Sequence, residues 1–248
     1  MFNNRHREVL TEAESIDMQL ETALKVAVEA HFGQRDKGGR PYIFHPLRVA
    51  AGRILESAGT MTILYPQNRQ ELREWFSANA STEKEVFVHC IRRPHESIIP
   101  YLDVVEEALC FGWIDSTCRS CEGEGYLQRL TPRKKGSNWT ELNKERCRRL
   151  TKLGLMTPAG KKVLPSLAKD SFKPEPWVID AIKADRQAWK NHRQFPPLYV
   201  RVRLYNIQWY RKHISEERSL KMLDRYIQAA RDGKMTGEWN DGGRLLDY

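Results

Sequence analysis

The sequence predicts an α+β fold in which a small mixed sheet and packed helices form a central domain. Of the 248 residues, 40% are hydrophobic and 29% are charged, which is enough apolar material for a core and excludes a disordered chain. Between residues 61 and 169, short β-branched and aromatic runs alternate with amphipathic stripes. After residue 170 the apolar residues recur only at helical spacing, which predicts an all-helical C-terminal region.

Residues 1–60 are predicted to form a helical N-terminal segment. Apolar residues recur at helical spacing from Ile16 to Ala27, and a second apolar run extends from Leu47 to Leu55. Between them, Asp36–Pro41 (DKGGRP) has the composition of a turn, because glycine adopts unusual dihedral angles and proline fixes the exit.

The central domain is predicted to span residues 61–169. Its helices are expected over 67–79, from Pro100 onward, from a cap at Ser137 or Thr140 to Leu153, and over 157–168. Its strands are expected over 61–64, 85–91, 113–115 and 124–131.

The C-terminal helical region is predicted over residues 170–235. Asp170–Pro176 contains two prolines and is expected to act as a linker. Three amphipathic helices follow, of which Pro196–Pro197 separates the first two and Gly233 ends the third. The tail over 236–248 is glycine-rich, and we expect it to be loose.

Positive charge is concentrated in one stretch of the central domain. The chain has a net charge of +9, and Arg129–Lys152 alone contains nine basic and two acidic residues. Lys144, Arg148 and Lys152 recur every four residues and would form one basic stripe on a helix. Such a surface attracts phosphates or carboxylates, although a solvated basic helix is an equally simple interpretation.

The polar and aromatic residues around this stretch form the candidate site. Arginine presents a planar fork that matches phosphate and carboxylate, and a helix start adds unpaired N–H groups. In the alternative interpretation the aromatic residues belong to the core, and Asp115 forms a structural salt bridge with Arg129 or Arg133. The candidate ligand-binding residues are Trp113, Asp115, Tyr126, Gln128, Arg129, Arg133, Ser137, Trp139, Lys144 and Arg148.

No catalytic constellation is visible in the sequence. It contains no glycine-rich phosphate loop, HExxH or GxSxG motif, so we expect no cofactor and no metal, and the question of catalysis stays open. Cys118 and Cys121 form a lone CxxC in a predicted hairpin turn, where structural zinc would need a second pair. We expect inert thiols.

The segment HFGQRDKGGRPYIFHPLRVA (31–50) resembles the start of RelA/SpoT-type HD phosphohydrolases over about residues 16–59. In that family the histidine of the HP pair, here His45, is the first ligand of a catalytic Mn²⁺, and a His-Asp dipeptide supplies further ligands. This chain has no His-Asp dipeptide. We therefore interpret the segment as a truncated HD fragment without its hydrolase site.

A longer resemblance covers about residues 61–235. The segments YLDVVEEALCFGWIDS (101–116), YLQRLTPRKKGSNW (126–139) and LTKLGLMTPAG (150–160) resemble the YdeI/OmpD-associated family. The stretch from Pro174 to Tyr210 resembles that family's C-terminal region. Members are linked to bacteriocin protection and to resistance to cationic antimicrobial peptides, so the resemblance implies a stress phenotype without a defined reaction.

Three functional hypotheses follow. The first is a non-catalytic stress-protection protein that binds an anionic small molecule, a nucleotide or non-specific nucleic acid through the basic pocket. The second is a small-molecule enzyme in the same pocket or a residual metal-dependent phosphohydrolase, and the third is a structural module that docks a protein partner. Five scattered cysteines, no secretory signal and no apolar run of about 20 residues predict a cytoplasmic protein without a transmembrane segment.

Overall fold

The computed structural model describes residues 61–93 and 95–248, together with residues 25, 29 and 32–34. The chain divides into two units, residues 1–65 and 66–248. In the first unit the strand β1 covers Ile63–Leu64. The HD-like segment, with His45, lies outside the described residues apart from 25, 29 and 32–34, so its interpretation stays a prediction.

Helices and short strands alternate in the second unit and confirm the predicted α+β class. Its strands are β2 (Val86–Cys90), β3 (Trp113–Ser120) and β4 (Tyr126–Pro132). Its helices are α1 (Arg69–Asn79), α2 (Tyr101–Cys110), α3 (Glu141–Lys152), α4 (Pro158–Lys162), α5 (Pro176–Ala184), α6 (Arg186–His192), α7 (Pro197–His213) and α8 (Glu216–Arg231), with a 3₁₀ turn at Lys169–Ser171.

In the sheet of this unit, β4 lies between β2 and β3 and pairs antiparallel with both. The register of β3 on β4 shifts between Asp115 and Cys118, where β3 bulges. The buried Gln128 amide donates to the carbonyls of Ser116 and Thr117, both at 3.3 Å, and thereby satisfies backbone groups that the bulge leaves unpaired. A parallel bridge joins Ile91 to Pro100.

Helix α2 packs against α3 and the segment that follows it. Val105 and Leu109 on α2 form a buried cluster with Cys147 and Leu150 on α3. Of the two proposed caps, Thr140 begins α3, since its hydroxyl accepts the N–H of Asn143 at 3.1 Å.

Two of the helices expected from the sequence end earlier than predicted. The helix expected over 157–168 is only α4, which ends at Lys162. The first C-terminal helix breaks at Asp185, because that residue leaves the helical conformation and its carboxylate caps α6 by accepting the N–H of Ala188 at 2.9 Å. The described C-terminal region therefore has four helices instead of three.

The tail over 236–248, expected to be loose, packs back onto the second unit. Asp241 is 4% exposed and accepts two hydrogen bonds from Arg146, and Leu245 is buried against Leu198 and Val202. The tail packs here because its Asp241 carboxylate pairs with the buried Arg146 and its Leu245 side chain covers apolar residues of α7.

Candidate functional site

The structure places Trp113 in the core and Asp115 against helix α2. Trp113 is 1% exposed, contacts Phe76 edge-on and donates its indole N–H to the carbonyl of Ala80 at 3.3 Å. The Asp115 carboxylate accepts the hydroxyl of Tyr101 at 2.8 Å. Trp113 is therefore unable to stack a ligand, and Asp115 does not form the salt bridge suggested by the sequence.

Tyr126 forms an aromatic pair beside Asp115. Its ring centroid lies 6.3 Å from that of Tyr101, and the guanidinium of Arg92 lies 5.6 Å and 5.7 Å from the two centroids. Burial raises the pKa of both tyrosines, so both hydroxyls stay protonated at neutral pH. Tyr101 and Tyr126 therefore form a neutral aromatic pair, and the Arg92 guanidinium lies over both rings.

Arg129 forms an ion pair with Glu85 on the neighbouring part of the sheet. Its Nε donates to the Glu85 carboxylate at 2.9 Å, and its Nη2 contacts the same oxygen. Both side chains are more than one-third exposed, so the pair contributes little to stability. Its positive charge is already matched by a carboxylate.

The basic stripe on α3 is also neutralised by local carboxylates and carbonyls. Lys144 contacts Glu141 at 2.7 Å. Arg148 pairs with Glu145 and donates to the carbonyl of Leu167 at 2.7 Å. Lys144 and Arg148 thus serve the helix and its neighbours instead of presenting a free cationic stripe.

Helix α2 carries a buried carboxylate cluster that absorbs further arginines. Glu106 and Glu107 are each 0% exposed, and with the partly buried Asp103 they receive ion pairs from α1, α3 and the tail. Arg149 does not pair with Glu145, four residues earlier on α3, because it reaches Glu106 at 2.7 Å. The arginines that contact this cluster are Arg69, Arg73, Arg149 and Arg244.

Arg133 is the candidate cation that has no carboxylate partner among the described residues. It is 8% exposed, its guanidinium lies 3.5 Å from the ring centroid of Trp139, and its Nη1 donates to the carbonyl of Asn138 at 3.0 Å. Its Nε and Nη2 have no acceptor in the described part of the chain. Burial lowers its pKa to about 10, so the group stays charged at neutral pH. Ser137 turns away and donates to the carbonyl of Lys134 at 2.5 Å.

An open groove of about 530 Å³ lies in the C-terminal region, away from these residues in sequence. Two of its cations, Lys169 and Arg193, are exposed and form no ion pair with the described carboxylates. Its third cation, Arg201, is held by Glu145 at 3.0 Å. No Asp or Glu is among the described residues that line the groove, which are Lys169, Phe172, Pro174, Trp189, His192, Arg193, Phe195, Pro197, Val200 and Arg201.

Aromatic rings form much of the groove wall. Trp189 and His192 stack with centroids 5.2 Å apart and planes 17° apart, and Arg193 lies 5.9 Å from the Trp189 ring. His192 is 8% exposed and shares a 2.8 Å hydrogen bond with the hydroxyl of Tyr226. Burial lowers the pKa of His192 and raises that of Tyr226, so the hydrogen bond joins two neutral groups and fixes the wall.

From the sequence, no functional role was assigned to the groove residues. A signal was present: residues 186–213 contain seven lysines and arginines and no Asp or Glu. The sequence therefore has a second stretch whose excess of basic residues equals that of Arg129–Lys152, and it contains no acidic residue of its own. Carboxylates outside this stretch pair with three of its cations, Arg201, Arg211 and Lys212.

Within residues 61–93 and 95–248, no three His, Cys, Asp or Glu side chains are grouped so that they could hold a metal ion. The Cys118 thiol is exposed, and the Cys121 sulfur lies 4.0 Å from the carbonyl oxygen of Glu124. None of the helices described has the length and apolar composition needed to cross a membrane.

A comparison with known protein families matches the central part of the chain. Residues 64–163 match a family described as a domain of unknown function, DUF8412. That region contains β2–β4, α1–α3, the buried carboxylate cluster and Arg133, and it ends before the groove residues begin at Lys169. No curated protein and no solved structure matches the chain.

Proposed function

We propose that this protein binds a small aromatic anion, a planar ring that carries a phosphate or carboxylate, in the C-terminal groove. The observation that carries the proposal is the groove lining: exposed Lys169 and Arg193 beside aromatic rings, with no carboxylate among the lining residues. Binding without catalysis is the activity that this lining supports best.

The volume and chemistry of the groove suit such a ligand. About 530 Å³ lies in the range of small-molecule sites, which combine apolar walls with a few polar groups that fix orientation. Trp189 and Phe195 line the groove with partly buried rings, whose exposed parts can pack against an aromatic ligand. The Trp189 ring already stacks on His192 and has the Lys183 and Arg193 cations over it. Arg193 can donate two parallel hydrogen bonds to a phosphate or carboxylate, and Lys169 adds a point charge.

The proposal also includes the biological role that the resemblance to the YdeI/OmpD-associated family implies. The resemblance of residues 101–116, 126–139 and 150–160 to YdeI/OmpD-associated proteins supports a role in stress or bacteriocin protection. A binding protein fits this role, because protection needs recognition and does not require turnover. Five cysteines scattered through a chain of this length are typical of a reducing compartment, and the proposal places the protein in the cytoplasm.

Calorimetric titration tests the proposal with AMP and 1-naphthoate, which carry a ring with a phosphate and a ring with a carboxylate. Two matched probes each lack one half of AMP: adenosine lacks the charge, and inorganic phosphate lacks the ring. We expect at least one ring anion to bind more tightly than either half, since both lining chemistries then contribute. Equal affinity for phosphate alone, or no binding of either ring anion, would contradict the proposal.

Charge reversal places the ligand in the groove. The double variant Lys169→Glu/Arg193→Glu should weaken binding of the ring anion by about tenfold or more, because two charge-assisted contacts are lost. The matched control is Lys161→Glu/Lys162→Glu, which makes the same charge change at exposed positions of α4 outside the groove. Equal weakening in the control would show that only net charge matters.

A further inference from the structure

Arg133 is a buried cation whose hydrogen bonds are only partly used. Nη1 donates to the carbonyl of Asn138 at 3.0 Å, whereas Nε and Nη2 are both buried and lack an acceptor among the described residues. Buried donors are nearly always paired, and an unpaired charged group in the interior is costly. These two N–H groups therefore need an acceptor that the described side chains and backbone do not supply.

The two unpaired donors lie on one edge of the guanidinium. Nε and the adjacent Nη point the same way and match the two oxygens of a carboxylate or phosphate. The same protein shows this edge in use: Arg146 donates from Nε and Nη2 to the two oxygens of Asp241 at 2.6 Å and 2.8 Å. Arg133 has the donor arrangement of Arg146 without the carboxylate.

The surrounding groups do not complete the site from within. Asp115 interacts with Arg133 through its charge, but its carboxylate accepts the Tyr101 hydroxyl at 2.8 Å. The Cys147 thiol lies in the same environment, where burial raises its pKa to about 12 and keeps it neutral. The face of the guanidinium is covered by the Trp139 ring at 3.5 Å. The edge that carries Nε and Nη2 is the part still to be satisfied.

The turn that follows Arg133 in the chain is exposed. Lys134, Lys135 and Gly136 are all exposed, and the turn is closed by the N–H of Ser137 donating to the carbonyl of Lys134 at 3.0 Å. Gly136 has a positive φ of 81°, and no atom lies within 4 Å of where its Cβ would be. The turn is therefore open to solvent at Gly136, and it carries two lysines that attract an anion.

We propose that the Nε–Nη2 edge of Arg133 holds the oxyanion of a small ligand, which enters as the Lys134–Ser137 turn moves aside. The ligand group is a phosphate or a carboxylate, and it receives two parallel hydrogen bonds as Asp241 does from Arg146. This site is independent of the C-terminal groove and does not rest on the function proposed for it.

Thermal unfolding in inorganic phosphate and in acetate, each replacing chloride at constant ionic strength, tests the proposal. We expect the unfolding temperature of the wild type to rise saturably with at least one of these anions, because binding to the folded state stabilises it. Response to phosphate alone identifies a phosphoryl group, and response to acetate identifies a carboxylate.

Three variants separate this site from other sources of stabilisation. Arg133→Met should lose the saturable response, and Arg133→Lys, which keeps the charge without the fork, should need about tenfold more anion. Arg129→Met is the matched control and should respond as the wild type does, because Arg129 already pairs with Glu85. The same response in Arg133→Met, or no response in the wild type, would overturn the proposal.

A measurement on the unaltered chain keeps the test decisive if Arg133→Met fails to fold. In protein labelled with ¹⁵N-arginine, the Nε–H resonance of Arg133 should shift on addition of the same anion, with the resonance of Arg146 unmoved. No shift at Arg133 up to saturating anion would overturn the proposal.

Discussion

Replacing Asp241 by Asn tests whether the tail is part of the folded core. Arg146 and Asp241 are 6% and 4% exposed and share two hydrogen bonds of 2.6 Å and 2.8 Å. Asparagine keeps one acceptor and removes the negative charge. Arg146 is then a buried cation with two neutral acceptors, residue 241 and Asn143 at 2.7 Å, and no carboxylate partner. Breaking a buried pair in this way costs about 3–5 kcal/mol, and the retained acceptor places the expected loss near 3 kcal/mol.

Urea unfolding followed by tryptophan fluorescence measures this loss. With a slope of about 2 kcal/mol per molar, the midpoint should fall by about 1.5 M. Asp247→Asn is the matched control, because Asp247 is exposed in the same tail. The double variant Arg146→Met/Asp241→Asn should recover part of the loss, since it removes both charges together and asparagine tolerates the positive φ of 52° at this position. A loss below about 1 kcal/mol for Asp241→Asn would refute the view that the tail closes the core.

Three further predictions concern local packing, capping and pH. Gly160→Ala should destabilise the protein by about 3 kcal/mol in urea unfolding, because the new Cβ would lie 2.1 Å from the carbonyl oxygen of Cys110. Gly154→Ala is the control: its Cβ would lie in open space, so only the positive φ of 70° is unfavourable and the cost should be about 1 kcal/mol. Thr140→Ala should cost about 1 kcal/mol through loss of the α3 cap, and Ser137→Ala should change stability by less than about 0.5 kcal/mol. Burial acts to raise the pKa of Glu145, but the Tyr248 hydroxyl and two arginines outweigh it, so this pKa lies below its ordinary value of 4.5. The resulting stability is complete above pH 4.5 and is lost as pH falls through the folded-state value, so Glu145→Gln should flatten the acid limb of a plot of unfolding free energy against pH.

Each of these predictions has a contradicting result. Equal losses for the two glycine variants would show that the close approach to Cys110 is relieved at little cost. A larger effect at Ser137 than at Thr140 would place the start of α3 earlier than the structure does. Parallel acid limbs for the wild type and Glu145→Gln would mean that this carboxylate does not contribute to the pH dependence.

The sequence predicts the local elements well where one signal dominates. Val86–Cys90 is a strand of β-branched and aromatic residues, and Tyr101–Cys110 follows a proline and carries one apolar stripe. The break at Asp185 was not predicted, because an aspartate within an amphipathic pattern is compatible with a continuous helix. Only the folded chain shows that its carboxylate caps a new helix.

The candidate site was harder to predict because charge along a sequence does not show where the opposite charges lie. Arg129 meets Glu85, which is 44 residues earlier, and Arg146 meets Asp241, which is 95 residues later. The basic stretch therefore marks a region of internal ion pairs. Arg133 is its buried exception, and the groove cations Lys169 and Arg193 come from a different part of the chain.

The most direct test of the groove proposal is to titrate the protein with AMP and 1-naphthoate in turn and follow the ¹⁵N–¹H resonances of the tryptophan indoles. Trp189 lines the groove, whereas Trp113 is 1% exposed and bonded to Ala80. The account predicts that a ring anion shifts the Trp189 indole resonance saturably and leaves that of Trp113 in place. An unmoved Trp189 resonance at saturating concentrations of both compounds would contradict it.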